Sequence, residues 1–324
     1  MGRQDAGDAL SGAFPLLPVA EGIREGSVPQ AGDTFTLPLS GGERGRDSTG
    51  QKQLGRPRAL FDVQADTYDQ RVGLSEQDCQ AIVRAVLALA HTQPHDLLLE
   101  IGAGTGMIGT WFARQPLRYV GFDLSRGMLA AFRQRLSRHS GTLLLLHADG
   151  NAPWPLTDGT VRVIFSARAL HLLDLAHVVY ESVRVARPDG AVVIIGRVQR
   201  QDDSVAAMMQ REMQRLLRHH GFQGRAGGQH QRQLLASYSQ QGATVLAPVV
   251  VARWAVPWTP WQSIEAWHMK PGLGGLALPA SEKDTILQAL CRWATKTFGD
   301  LQCEVISEEA YILQGVRLRS IGRG

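Results

Sequence analysis

The stretch Leu97-Leu98-Leu99-Glu100-Ile101-Gly102-Ala103-Gly104-Thr105-Gly106 sets the architecture of this chain. Residues 97–101 are a short, nearly all-apolar run bounded by glycine, the pattern of a buried parallel strand. The run breaks into glycines at 102, 104 and 106, and Met107 to Gln115 then reads as a helix. Glycines there let the backbone turn sharply and leave no side chain between it and a ligand. A strand, a glycine loop and a helix in that order place a small molecule at the carboxyl end of a sheet, near the helix N-terminus. Glu100 is the exception in the strand. A carboxylate in an apolar strand is costly without partners, and a ligand offering donors or positive charge would supply them.

Working outward, strand and helix alternate. Ser75 reads as the N-cap of a helix over 76–91. Strands are expected at 118–122, 142–146, 161–165 and 191–196. Ser125 caps a helix to about Arg138, and Asp174 caps one over 175–185. That helix ends before Arg187-Pro188-Asp189-Gly190, a turn signal. Beyond 198 the chain reads as helices at 203–220, 229–240, 263–268 and 282–297, a bent strand at 244–256 and a last strand at 311–318. This pattern predicts an α/β fold: a doubly wound, Rossmann-like, mostly parallel sheet of seven strands with helices on both faces and a helical insertion after strand five. Residues 1–58 lack sustained apolar periodicity and read as a disordered arm. The folded domain is expected over 59–324, divided at about 198, where the alternation of strand and helix changes.

Composition narrows the class. Of the 324 residues 44% are hydrophobic and 20% charged, which fits a soluble globular protein. The net charge of +4 is explained by dispersed arginine, so nucleic acid is not an expected partner. The 3 cysteines form no CxxC pair, so neither zinc nor a disulfide framework is expected. No run reaches the roughly 20 apolar residues of a membrane span, and no secretory pattern opens the chain. A cytoplasmic location is therefore expected.

The pattern Glu100-x-Gly102-x-Gly104-x-Gly106 at a strand end resembles the first motif of class I S-adenosylmethionine-dependent methyltransferases. Three further features carry the resemblance. Asp123 ends the second strand, about 20 residues past the glycine loop, a spacing that suits a carboxylate accepting both ribose hydroxyls. Asp149 follows the third strand, where the family places an acid near the adenine amino group. Arg187-Pro188-Asp189-Gly190 precedes the fifth strand like the family's turn there. Phe61-Asp-Val-Gln-Ala-Asp-Thr-Tyr68-Asp69 is similar to the opening of the type 11 branch, which includes quinone-biosynthesis enzymes. The resemblance implies S-adenosylmethionine as cofactor, held by Glu100, Gly102, Ala103, Gly104, Gly106, Asp123, Leu124, Asp149, Gly150 and Ser166. Glu100 would lie near the amino group of the methionine part.

The expected reaction is methyl transfer to an oxygen, carbon or nitrogen of a small-molecule acceptor, aromatic or quinone-like among the candidates. Two residues are candidates for catalysis. His171 follows the fourth strand and titrates near neutral pH, which suits a general base, although it can equally pack on the next helix. Tyr68 lies on a segment that closes over the cofactor in relatives, although it can equally staple the first helix. Trp254, Trp258, Trp261 and Trp267 crowd into one stretch beside His268. They either wall an acceptor or form a small core. Residues 166–169 are Ser-Ala-Arg-Ala rather than the Asn/Asp-Pro-Pro-Tyr/Phe of enzymes that methylate adenine or glutamine nitrogen, which argues against those substrates.

Other readings exist. Gly104-x-Gly106-x-x-Gly109 spells a dinucleotide fingerprint. Begun at the strand end, at Gly102, the third glycine would fall on Met107, and close helix–strand packing is weakened. A non-catalytic module acting through protein contacts is a further alternative, and RNA methylation a less favoured one.

Overall fold

Five parallel strands frame the computed structural model, which describes residues 73–136, 143–222, 229–270 and 272–319. They are β1 (Leu97–Ile101), β2 (Arg118–Asp123), β3 (Leu143–His147), β4 (Val161–Ala167) and β5 (Val192–Arg200). A long strand β8 (Val305–Arg317) runs antiparallel to β5. β6 (Thr244–Val245) and β7 (Val249–Trp258) both pair antiparallel with β8. The order is β3-β2-β1-β4-β5-β8-β6, with β7 also on β8. β6 and β7 are two segments of the strand expected over 244–256, and Leu246 N still bonds Gly315 O between them. The seven expected strands are thus present, one of them interrupted. Strand order reverses between β1 and β4, and the crevice outside the carboxyl ends at such a point is where ligands bind in open α/β sheets.

The helices start where side-chain oxygens can satisfy free backbone N–H groups. Ser75 accepts from Asp78 N to begin α1 (Glu76–Ala90). Next comes α2 (Gly109–Phe112), then α3 (Arg126–Arg135), capped by Ser125. Asp174 caps α4 (Leu175–Val185) and Ser204 caps α5 (Val205–His219). Then follow α6 (Gln229–Gln240), α7 (Pro260–His268), capped by Thr259, and α8 (Ala280–Phe298).

Some limits differ from expectation. α2 is a single turn, not a helix over 107–115. Gly106 at φ +76 delays its start, and Pro116 disfavours helix at the residue before it. β8 begins at Val305 rather than 311, because Val305 to Glu309 gain partners on β7. α7 starts at Pro260 instead of 263, since proline suits the first helical position. The expected arm at 1–58 and the segment Phe61 to Asp69, with Tyr68, lie outside the described residues.

Alternation along the strands divides the core. Leu98, Tyr119 and Phe165 face α1, Phe112 of α2 and Phe132 of α3. Leu99, Ile101, Phe122 and Ile164 face α4 and Tyr238 of α6. A third cluster, with Met209, Met213, Leu217, Ile286 and Leu290, joins α5 to α8 and also buries Ile264 of α7. Among the described residues, no helix is long and apolar enough to cross a membrane, and no group of three or more His, Cys, Asp or Glu side chains could hold a metal ion.

Candidate functional site

The glycine loop leaves β1 and is pinned at once to β2. Gly102 N and Ala103 N both donate to Phe122 O, at 2.9 and 3.0 Å. Gly104 N donates to Asp123 Oδ2 at 2.9 Å, and Ser125 N donates to Asp123 Oδ1 at 2.8 Å. Asp123 thus ties the loop to the start of α3 while its half-buried carboxylate stays at the carboxyl edge. Each oxygen of an ionised carboxylate can accept more than one hydrogen bond, so capacity for ribose hydroxyls remains.

The three glycines do different work, although all are left-handed, with φ of +68, +57 and +76 at Gly102, Gly104 and Gly106. A β-carbon on Gly102 would stand 2.2 Å from Ala169 Cβ, and one on Gly106 would stand 2.1 Å from the Phe132 ring. Among the described residues, the nearest non-adjacent heavy atom to a β-carbon at Gly104 would be Gly102 O at 3.9 Å. The open approach for a ligand is therefore at Gly104. Gly102 and Gly106 are glycine because neighbouring side chains of this chain fill the space beside them. Gly109, two residues later than the fingerprint register requires, brings α2 onto the sheet. A β-carbon there would meet Tyr119 Oη at 2.6 Å and Glu100 Oε2 at 2.8 Å.

Glu100 is 3% exposed and accepts the Tyr119 hydroxyl on Oε2 at 2.5 Å. Burial pushes its carboxyl up to about 8; the Tyr119 hydrogen bond opposes this and Asp123 adds to it. Burial, and Glu100 beside it, also raise Tyr119 well above the usual tyrosine value. Tyr119 is thus one partner that Glu100 has within the chain itself. The reach is possible because Gly121 stands opposite Glu100 in the register. A β-carbon at Gly121 would come within 2.7 Å of the hydroxyl.

Ser166 is 1% exposed and donates its hydroxyl to Ile101 O at 2.9 Å. That bond spends the hydroxyl on joining β4 to β1. Ser166 thereby also ties β4 to the end of β1, where the glycine loop begins. Asp149 follows β3 half-buried, its Oδ1 accepting from Asn151 N at 2.9 Å. Gly150 is buried beneath Leu173. Leu124 stands between Asp123 and the α3 cap, and its carbonyl lies 3.0 Å from His147 Nε2.

Trp154 was not singled out from the sequence. It is 3% exposed, its Nε1 donates to Gly150 O at 3.1 Å, and it packs on Phe122. Its backbone N donates to Glu181, which Arg184 also holds. This braces the Asp149–Gly150 turn, and the only sequence signal was an aromatic ring between two prolines a few residues past Asp149.

His171 lies exposed in a 3-10 turn, Leu170–Leu172, just past β4. Of the tryptophans, Trp254 packs on the first core face, and Trp258 and Trp267 pack on the third cluster. Trp258 Nε1 also donates to Ser263 Oγ at 2.8 Å. Trp261 is 40% exposed. The packing reading holds for three of the four rings.

Residues 99–194 match the family model of the methyltransferase domain. A malonyl-[acyl-carrier protein] O-methyltransferase of Serratia marcescens is 28% identical over 136 residues, 42% of this chain and 50% of its own length. A demethylmenaquinone methyltransferase of Thermobifida fusca is 33% identical over 144 residues, 42% of this chain and 58% of its own. The chain thus spans about half the length of the curated relatives it matches.

Proposed function

We propose that this chain, whose residues 99–194 are a methyltransferase domain, transfers a methyl group from S-adenosylmethionine to an oxygen, carbon or nitrogen atom of a small-molecule acceptor. One observation carries the reading: the open, left-handed Gly104 has its N–H held by Asp123 at the crevice where strand order reverses. A nucleoside can approach the bare backbone there, with a carboxylate in place for its hydroxyls. The names of the relatives support methyl transfer.

When bound, S-adenosylmethionine supplies an activated methyl group for in-line displacement by the acceptor atom. The residues of this chain bind, align and exclude water, which is where most of the acceleration in such a reaction arises. Asp123 accepts ribose hydroxyls, Asp149 faces the adenine side, and Gly102 to Gly106 carry the loop past the donor. Glu100, held by Tyr119, supports the loop from below and stands nearest the methionine end. His171, exposed past β4, takes a proton from an acceptor that needs one removed. Tyr68 remains a candidate for closing over the donor. The half at 59–198 holds the donor and the half at 199–324 shapes the acceptor side, consistent with the separate core of α5 and α8. A cytoplasmic setting and a flat or quinone-like acceptor complete the reading.

Calorimetry with S-adenosylmethionine tests it. The wild-type protein is expected to bind, and Asp123→Ala to lose binding. Tight NAD binding with no affinity for S-adenosylmethionine would overturn the assignment. Incubating methyl-labelled S-adenosylmethionine with protein and cell extract, followed by mass analysis, then identifies the acceptor.

A further inference from the structure

Two arginines stand at the carboxyl edge of β4 and β5. Ala167 and Gly196 are the last registered pair of β4 and β5, and the next residue on each strand is an arginine, Arg168 and Arg197. Arg168 has φ +62. A bulky side chain adopts that region at a cost, and such strain clusters at functional sites. Arg197 continues β5. Alternation puts it on the face of Val193 and Ile195, which α4 and α6 cover.

The guanidinium of Arg197 is only partly satisfied. Nη2 donates to Gln199 Oε1 at 2.8 Å. Nε is buried and has no hydrogen-bond partner among the described residues. Loss of water lowers its pKa, and a charge taken out of water normally keeps a partner. On α6, Gln231 Nε2 is a second buried donor without a partner among the described residues. The first turn of α6 stands beside the end of the 3-10 turn that follows β4, where His230 Nε2 lies 3.4 Å from Leu173 O. On neighbouring elements, Asp174 caps α4 and Glu309 pairs with Arg200.

We infer that Arg197, Arg168 and Gln231 form an anion subsite, so that the methyl acceptor carries a carboxylate or a phosphoryl group. A guanidinium fork fits either anion with two parallel hydrogen bonds, and a side-chain amide adds a further donor. A neutral or cationic acceptor would leave the buried Nε without an acceptor. The subsite serves the methyltransferase reading and rests on it for the identity of its ligand as acceptor. Anion binding itself does not depend on the donor.

Calorimetry of the full chain with malonate and, separately, with inorganic phosphate tests this, each with and without S-adenosylhomocysteine. One of the two anions is expected to bind, and which one tells carboxylate from phosphoryl. Arg197→Gln should weaken that binding about tenfold or more, while S-adenosylhomocysteine affinity stays within about twofold of wild type. Arg197→Lys keeps the charge and loses the fork, and should weaken anion binding roughly fivefold. It decides the matter if the glutamine variant does not fold. Absence of binding by both anions, or unchanged affinity in the variant that folds, overturns the subsite. A protein that binds an anion but not S-adenosylhomocysteine would keep the subsite and lose the donor reading.

Discussion

The Tyr119 hydroxyl donates to Glu100 Oε2 at 2.5 Å, and a β-carbon at Gly109 would lie 2.6 Å from the one and 2.8 Å from the other. An acid and its partner are thus sealed between two strands and the single turn of α2. Aromatic rings of Phe112 and Phe132 flank the tyrosine. The consequence is electrostatic.

The stability of the protein should fall as pH rises through the neutral range. Glu100 goes from 4.5 to about 8 on burial. Between these values the folded chain keeps a proton that the unfolded chain releases, so folding is favoured most below the lower value and least above the upper. The shift corresponds to at most roughly 5 kcal/mol. Glu100→Gln keeps an acceptor for Tyr119 and removes the titration. Urea unfolding at about pH 5 and about pH 9 should show a steep loss in wild type and a flatter one in the variant. Parallel losses in both would refute the buried proton.

Gly104→Ala and Gly106→Ala should fail in different ways. Each places a side chain in left-handed backbone, at about 1–2 kcal/mol. At Gly106 the added carbon also meets the Phe132 ring, adding about 1–3 kcal/mol of overpacking. The Gly106 variant should melt well below wild type. The Gly104 variant should melt only a few degrees lower and lose S-adenosylmethionine affinity about tenfold, because its new methyl stands in the open approach. Equal affinity in the Gly104 variant would show that the donor binds elsewhere.

Ser166→Ala should cost stability without costing donor affinity. Removing the hydroxyl leaves the Ile101 carbonyl, buried at the switch point, without its bond, a loss of about 1–3 kcal/mol. Thermal melting and calorimetry on one preparation separate the two effects. A large drop in affinity with an unchanged melting temperature would make Ser166 a direct donor contact.

His171→Ala should leave the fold intact, because the ring is exposed, and change stability by no more than about 0.5 kcal/mol. If the acceptor atom must lose a proton, the methyl transfer rate should fall roughly 100-fold. An unchanged rate would remove His171 from the chemistry.

The glycine loop and the strands around it were legible because their signals are local. A run of leucines ending in alternating glycines imposes a buried strand and left-handed backbone whatever surrounds it. Asp123 ends β2, and Asp149 follows β3 by two residues. Helix caps at Ser75, Ser125 and Asp174 could be read from one residue and the apolar pattern after it. The roles of Glu100 and Ser166 were not legible. Their partners, Tyr119 and Ile101 O, come from neighbouring strands, and the side-chain period alone does not say which strand lands beside which. The start of β8 was missed on the same ground, since Ser307, Glu308 and Glu309 look like a loop until β7 pairs with them.

Backbone shape and strand-end acids were therefore written in the order of residues, as each depends on a few neighbours along the chain. Which glycine stays open, which acid burial pushes up and which arginine is left with an unanswered N–H were settled by packing. Those outcomes turn on contacts between segments far apart in the chain: Phe132 against Gly106, Tyr119 under Gly109, and β4 beside both β1 and β5. Desolvation and close approach act through space, so no reading along the chain could supply them.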